Sequence, residues 1–130
     1  MNFLITIDKK LPYFQINLSG QFDLHDLEKC YVTIFDHPDW APGLHILWNA
    51  KGCTFEHLDT DDLHAISDMT SQYKQQRGEG RAAWVVSRDI DFGISRMFEM
   101  LSKRDVIFDF CVFKTIPEAQ DFLSSTDENI

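Results

Sequence analysis

The sequence predicts one α/β sandwich domain with a mixed five-stranded sheet and about four helices. Two β-rich runs open the chain, and from residue 23 onwards helical and strand patterns alternate in the order β-β-α-β-α-β-α-β-α. Strands separated by single helices pair in parallel through right-handed crossovers, whereas the two opening runs are close enough to form an antiparallel hairpin. A length of 130 residues suits one domain, which we place at residues 1–124, before a polar tail at 125–130.

The first half of the chain begins with the runs "FLITID" and "YFQINLSG". In the second run Phe14, Ile16 and Leu18 alternate with polar residues, which is typical of a half-buried strand. Asp23 is a suitable N-cap for the first helix, whose apolar positions recur at helical spacing. Those positions are Leu24, Leu27, Tyr31 and Ile34.

The middle of the chain contains a strand, a helix and a second strand. The run "LHILWNA" is apolar enough for a buried strand, and Asp59 or Thr60 can cap the helix that follows. The run "RGEGR" is expected to end that helix, and "AAWVVS" forms the next strand. The predicted buried face of the helix consists of Leu63, Ile66, Thr70 and Tyr73.

A third helix is predicted to begin near Phe92, with Asp89 or Asp91 as its cap. Its apolar residues fall at positions i, i+3, i+4 and i+7, which predicts one buried face. Glu99 and Lys103 stand four residues apart and are expected to pair on the exposed side. The predicted buried face consists of Ile94, Met97, Phe98 and Leu101.

The chain is predicted to end with a strand and a short helix. The run "VIFDFCVF" at 106–113 is almost continuously apolar, as in a strand that is covered on both faces. Thr115 and Glu118 have the spacing of a capping box at the start of the last helix.

The net charge of −9 argues against nucleic acid and anionic membranes as partners. Binding to phosphate groups needs a concentrated basic face, and Arg77, Arg81, Arg88 and Arg96 are too scattered to provide one. The apolar start of the chain is short and lacks a basic region, so we do not expect a signal peptide or stable membrane anchoring. Three widely spaced cysteines are typical of reduced thiols in a cytoplasmic protein.

No catalytic or metal-binding motif is present, so we expect neither an enzyme nor a cofactor. The triplet at 91–93 reads Asp-Phe-Gly, as in protein kinases, but the chain has no glycine-rich loop and no His-Arg-Asp motif. There is no Gly-x-Ser-x-Gly elbow. His57 and His64 lie among acidic residues without a familiar metal-ligand spacing, and those carboxylates are better explained as charges at a helix start.

Two stretches carry a resemblance to a known family. "GRAAWVVSRDIDFGISRMFEML" and "FCVFKTIPEAQDFL" resemble the second half of SpoIIAA-like proteins, also called STAS/SEC14-like, and "LSGQFDLHDLEKCYVTIFDHPDW" resembles the first half more loosely. The most specific part is the motif at 93–99. The resemblance implies a STAS-type fold and a non-enzymatic regulatory domain, with a protein partner or a second copy in a homodimer.

The SEC14-like side of the resemblance implies a different function. It suggests a pocket for a small apolar or amphipathic ligand, and abundant phenylalanine would suit the lining of such a pocket. The same side chains would equally suit an ordinary core. The phenylalanines in question are Phe92, Phe98, Phe108, Phe110 and Phe113.

STAS antagonists of anti-sigma factors are switched by phosphorylation of a serine before the second helix. The matching place here reads "EHLDTDDL" and lacks the Asp-Ser-Ser-Gly sequence of that switch. Thr60 is the sole hydroxyl in this segment, so it is the candidate phosphosite. A phosphate at Thr60 would face neighbouring carboxylates, although the helix start would partly offset the repulsion.

The candidate binding site follows from topology. In open α/β sheets, ligands bind outside the carboxyl ends of the parallel strands, near helix starts. Arg96 could grip an acidic group there, or it could form a surface ion pair with a nearby carboxylate. Gly93 could also serve only to let its helix approach the sheet. The predicted site consists of Asn49, Lys51, Thr60, Asp61, Arg88, Phe92, Gly93 and Arg96.

Overall fold

The computed structural model describes residues 1–105 and 109–125. Its five strands form one sheet in the order β1-β2-β3-β4-β5. β1 is antiparallel to β2 and the other neighbours are parallel, so the predicted mixed sheet with an N-terminal hairpin is confirmed. The strands are β1 (Asn2–Ile7), β2 (Tyr13–Gln21), β3 (His45–Thr54), β4 (Ala82–Val85) and β5 (Phe110–Phe113).

The described residues form five helices, one more than the sequence predicted. The second helix ends at Gln72, and a one-turn helix follows Tyr73 before the predicted break at the glycines. The helices are α1 (Leu24–Phe35), α2 (Thr60–Gln72), α3 (Lys74–Arg77), α4 (Asp89–Asp105) and α5 (Ile116–Ser124). The predicted strand positions 106–108 and the tail residues 126–130 lie outside the described residues.

Short side chains cap three of the helices, as their sequences predicted. The Asp23 carboxylate accepts a hydrogen bond from the backbone N–H of Asp26 at 3.0 Å at the start of α1. Asp59 and Asp62 form a reciprocal capping box at the start of α2. Thr115 caps α5. Each cap satisfies backbone donors that have no partner within the helix.

The two faces of the sheet carry different layers, because successive side chains of a strand point to opposite sides. On one face α1, α2 and α4 pack over the large core that contains Ile16, Trp48 and Trp84. On the other face α5 covers a smaller cluster built from Tyr13, Leu47, Ala83, Val85, Ala119 and Leu123.

A buried arginine holds the connections around the start of β4. Arg77 is 1% exposed, and its guanidinium donates to the carbonyl oxygens of Leu44, Gly80 and Arg81 at 2.9, 3.0 and 3.2 Å. Burial lowers the pKa of Arg77 to about 10. This side chain therefore belongs to the scaffold, although composition alone counts it as a surface charge.

Candidate functional site

The start of α4 lies three residues before the predicted position, at Asp89. Asp91, one of the two predicted caps, is instead inside the first turn and 2% exposed. Its carboxylate accepts hydrogen bonds from the Phe55 backbone N–H at 3.1 Å and from Arg88 Nε at 2.7 Å. Asp91, the aspartate of the kinase-like triplet, therefore connects α4 to the loop after β3. Arg88 also forms an ion pair with Glu56 at 3.5 Å.

A second carboxylate of α4 points inward. Glu99 is 2% exposed and accepts hydrogen bonds from the Val112 backbone N–H at 3.0 Å and from Arg96 at 2.7 Å. The predicted exposed pair of Glu99 with Lys103 is therefore wrong. Since β5 is an edge strand, Glu99 occupies a backbone donor that would otherwise be free to pair with another strand.

Arg88, directly before α4, and Arg96, within α4, play matching roles. Each guanidinium neutralises a buried carboxylate three residues further along the helix and keeps about half of its surface in solvent. Of the two roles predicted for Arg96, the ion pair with a nearby carboxylate is the one present in the structure, and Glu99 is the partner. The exposed half of each cation remains accessible to a binding partner.

The outer face of α4 is apolar where the sequence predicted a polar one. Met97, predicted to be buried, is 50% exposed, and Ile90 and Met100 are 50% and 65% exposed. Their positions fall along one line of the helix. Ile94, Phe98 and Leu101 do pack against the core, as predicted.

Gly93 lies on the same outer line, between Ile90 and Met97. A Cβ atom added at Gly93 would meet no atom within 4 Å. The alternative that this glycine lets its helix approach the sheet is therefore wrong. We call Ile90, Gly93, Met97 and Met100 the α4 outer stripe.

The predicted site residues do not converge on one place. Asn49 and Lys51 lie inside β3 rather than at its carboxyl end. Asn49 shares its face of the sheet with Leu47, opposite α2 and α4, and its amide donates to Asn17 Oδ1 at 3.0 Å. The sheet thus separates Asn49 from the helix starts, and Lys51 lies at the irregularity where the β2–β3 register shifts.

The start of α2 supplies the exposed hydroxyl of Thr60 and exposed acidic groups. Thr60 is the first residue of α2 and is exposed, as is Asp61. The neighbouring Asp59 and Asp62 are engaged in the capping box. The Phe22 carbonyl oxygen accepts a hydrogen bond from His57 Nε2 at 2.7 Å. Among residues 1–105 and 109–125, no three His, Cys, Asp or Glu side chains are grouped as a metal site.

Phe92 connects the start of α4 to the end of β5. Its ring is half-buried, and Lys114 Nζ lies 5.2 Å from the ring centroid. The same ammonium group pairs with the Asp89 carboxylate and holds the pKa of that carboxyl below its ordinary value. A cation therefore lies over the ring of Phe92 at the end of β5.

A cavity of about 50 Å³ lies between the sheet and helices α1, α2 and α4. Phe98 and Phe110 line it, as the sequence suggested, whereas Phe113 packs against Phe122 on the opposite face. Phe108 is outside the described residues. Sequence reasoning missed most of the aromatic lining, because those residues come from strands that read as ordinary core. The missed lining residues are Phe22, Tyr31, Trp48, Phe55 and Trp84.

The cysteines offer poor nucleophiles. All three are free, and burial raises the pKa of the Cys30 and Cys53 thiols to about 12. At neutral pH these two groups are protonated, whereas the thiolate is the reactive form.

Comparison with known proteins agrees with the architecture. The mixed sheet with helices on both faces has the SpoIIAA-like fold that the resemblance predicted. The chain is similar to the solved structure of an uncharacterised DUF3478-family protein with a SpoIIAA-like fold from Shewanella loihica PV-4, with a TM-score of 0.59. The match covers 94% of this chain and 92% of that one at 12% sequence identity, which establishes the fold alone.

No protein-family model and no curated protein sequence matches the chain. Across residues 1–105 and 109–125, every helix is too short or too polar to cross a lipid bilayer.

Proposed function

We propose that the protein is a non-enzymatic binding domain that docks another protein chain on the α4 outer stripe. The observation that carries the proposal is a line of three large apolar side chains, each at least half exposed, on a single helix. Isolated exposed apolar residues are ordinary, whereas grouped ones mark interaction sites. Methionine suits such a surface because its flexible side chain adapts to a partner.

The inward contacts of α4 support this proposal because they fix the rotation of the helix. Asp91 and Glu99 each accept a hydrogen bond from a backbone N–H of another element, at Phe55 and Val112. Turning the methionines inward would break both bonds and would leave buried donors without partners. The apolar stripe therefore faces outward as a consequence of specific polar contacts.

The polar groups of α4 are also better suited to holding structure than to catalysis. Both buried carboxylates are saturated by a backbone donor and an arginine. A general acid or base needs access to a substrate proton. These contacts support a binding role.

Site-specific crosslinking in the host cell tests this proposal. A photo-reactive amino acid at Met100 would lie on the stripe, and one at Val32, 46% exposed on α1, provides a matched control. We expect one discrete protein adduct from position 100 that is absent from position 32 and is lost when Met97→Asp is added. Equal adducts from both positions, or none from position 100, would contradict the proposal.

The cavity supports a second candidate function, the binding of a small neutral apolar ligand. Well-packed interiors contain few voids larger than a water molecule, and seven of the fifteen described residues that line this cavity are aromatic. Among the described lining residues only Arg77 is charged, and its guanidinium donates to backbone carbonyl oxygens. An apolar lining favours a ligand without charge.

Xenon provides a probe for this second candidate, because it enters dry apolar cavities and is small enough for a cavity of about 50 Å³. We expect xenon under pressure to raise the melting temperature of the wild type and to perturb the indole signals of Trp48 and Trp84. The Ile66→Phe variant, which fills space in the cavity lining, should lose both effects. Identical responses of the two proteins, or no response of either, would exclude the cavity as a ligand site.

A further inference from the structure

We infer that the chain docked on the α4 outer stripe is a second copy of this protein, with the two α4 helices packed antiparallel across a two-fold axis. This inference rests on the proposed function of the stripe and identifies its partner. Three features of α4 carry it: the symmetry of the stripe, the position of its glycine and the distribution of charge along the helix.

The stripe is symmetric about residue 95. Ile90 and Met100 are each five residues from that position, and Gly93 and Met97 are each two residues from it. In a two-fold interface, if residue i contacts residue j, then j also contacts i. An antiparallel pair centred at residue 95 therefore places Ile90 opposite Met100 of the second copy, and Gly93 opposite Met97.

Gly93 is unexplained in the isolated chain. Apart from proline, glycine is the poorest helix former, and the space around this one is open, so nothing within the chain excludes a side chain. In the antiparallel pair, Gly93 leaves a gap opposite Met97 of the second copy. The methionine side chain enters that gap, and the two helix backbones approach closely at two symmetric places.

Charge favours the antiparallel direction. Beside the stripe, Asp89 lies at the amino end of α4, where it pairs with Lys114 but stays 91% exposed, and Lys103 is exposed near the carboxyl end. An antiparallel pair brings Asp89 of each copy close to Lys103 of the other, whereas a parallel pair brings like charges together. Arg96, near the axis, already has its charge balanced by Glu99.

Association through the β5 edge is disfavoured by comparison. Glu99 occupies the Val112 backbone N–H, which another strand would need in order to extend the sheet. Glu99, which blocks the β5 edge, thus belongs to α4, the same helix that carries the stripe on its outer face.

Sedimentation velocity of the purified full chain is the first test. We expect a concentration-dependent change from the 15.2 kDa monomer to a dimer. Met97→Asp should weaken dimerisation at least tenfold, and the matched control Val32→Asp should leave it unchanged. A wild type that stays monomeric up to millimolar concentration would overturn the inference, as would a dimer that Met97→Asp does not weaken.

A charge exchange tests the antiparallel register. Asp89→Lys and Lys103→Asp should each weaken the homodimer, because each variant places two like-charged pairs across the interface. Mixing the two variants should restore association, because every cross pair then has opposite signs. No rescue in the mixture would overturn the register even if the wild type is dimeric.

These outcomes separate the inference from the proposed function. A monomeric purified protein whose position 100 still crosslinks to a different protein in cells would contradict the second copy and support the docking surface. A dimer that is insensitive to stripe substitutions, together with no adduct at position 100, would contradict both.

Discussion

Helices α1 and α4 pack on the same face of the sheet and follow opposite rules. In α1 the inward positions are apolar, and Leu27 and Ile34 are almost fully buried. In α4 the inward positions include Asp91 and Glu99, while Met97 and Met100 face outward. Hydrophobic burial therefore orients α1, whereas in α4 hydrogen bonds to distant backbone groups act together with the packing of Ile94, Phe98 and Leu101. A helix oriented in the second way can leave an apolar surface available for binding.

The largest expected difference between the two helices comes from deleting apolar side chains. Leu27→Ala in α1 should lower the free energy of unfolding by about 3 kcal/mol, because it removes buried surface and leaves a cavity. Met97→Ala in α4 should change the monomer by less than about 0.5 kcal/mol, since its side chain is half exposed. Urea unfolding at low protein concentration measures both. A large loss for Met97→Ala in the monomer would contradict the outward stripe.

Removing an inward carboxylate of α4 should have the next largest effect. Glu99→Ala leaves the buried Val112 N–H without its partner, and we expect a loss of about 2 kcal/mol in the free energy of unfolding. Lys103→Ala, which alters an exposed neighbour on the same helix, is the control and should stay within about 0.5 kcal/mol of the wild type. An equal loss in the free energy of unfolding for Glu99→Ala and Lys103→Ala would contradict the buried role of Glu99 and would support the predicted surface pair.

A smaller effect of opposite sign is expected at Gly93. Gly93→Ala should stabilise the monomer by about 0.5–1 kcal/mol, because alanine favours the helix and its methyl group meets open space. The bulkier Gly93→Gln should weaken the dimer, because its side chain fills the gap opposite Met97. Chemical unfolding measures the stability of the Gly93→Ala monomer, and sedimentation velocity measures the dimerisation of Gly93→Gln. A destabilised Gly93→Ala monomer would indicate a packing role that the structure does not contain.

The smallest effect concerns pH at the start of α4. Lys114 lowers the pKa of Asp89 below its ordinary value of 3.8. The ion pair therefore stabilises the folded protein above pH 3.8, and this contribution is lost as the pH falls through the lowered pKa. Lys114→Met should raise the pKa of Asp89 towards 3.8, as followed by an NMR titration of its carboxyl carbon. Asp26 in α1, whose pKa is also lowered, should titrate unchanged in this variant.

The features that the sequence predicted correctly are those that depend on residues close together in the chain. The caps at Asp23, Asp59 and Thr115, the N-terminal hairpin and the buried face of α1 depend on residues close together in the chain. Their hydrogen-bonding groups and apolar spacing are visible without the fold.

The rotation of α4 could not be predicted in the same way. Its apolar spacing favours burial of Ile94, Met97, Phe98 and Leu101, and the actual buried face is turned by roughly a quarter turn towards Asp91 and Glu99. The decisive partners, the backbone N–H groups of Phe55 and Val112, lie 36 and 13 residues away along the chain. Nothing in the local pattern identifies them.

The proposed binding surface overlaps the sequence-predicted site only in part. The sequence placed that site around the starts of the second and third helices, and Gly93 is the residue that it shares with the stripe. Asn49 and Lys51 were wrongly placed at the end of a strand, because β3 extends past them to Thr54, and the side chain of Asn49 lies across the sheet from α4. The extension of β3 depends on its pairing with β2, which the local sequence does not reveal.

The most direct test of the central claim is an isotope-filtered NOE experiment on a sample that mixes labelled and unlabelled copies. The antiparallel pair predicts intermolecular NOEs between the Met97 methyl group of one copy and the Gly93 α-protons of the other. It also predicts NOEs between Ile90 and Met100 across the interface. Intermolecular NOEs confined to another surface, or none at millimolar concentration, would contradict the role of the α4 outer stripe as the contact between two copies.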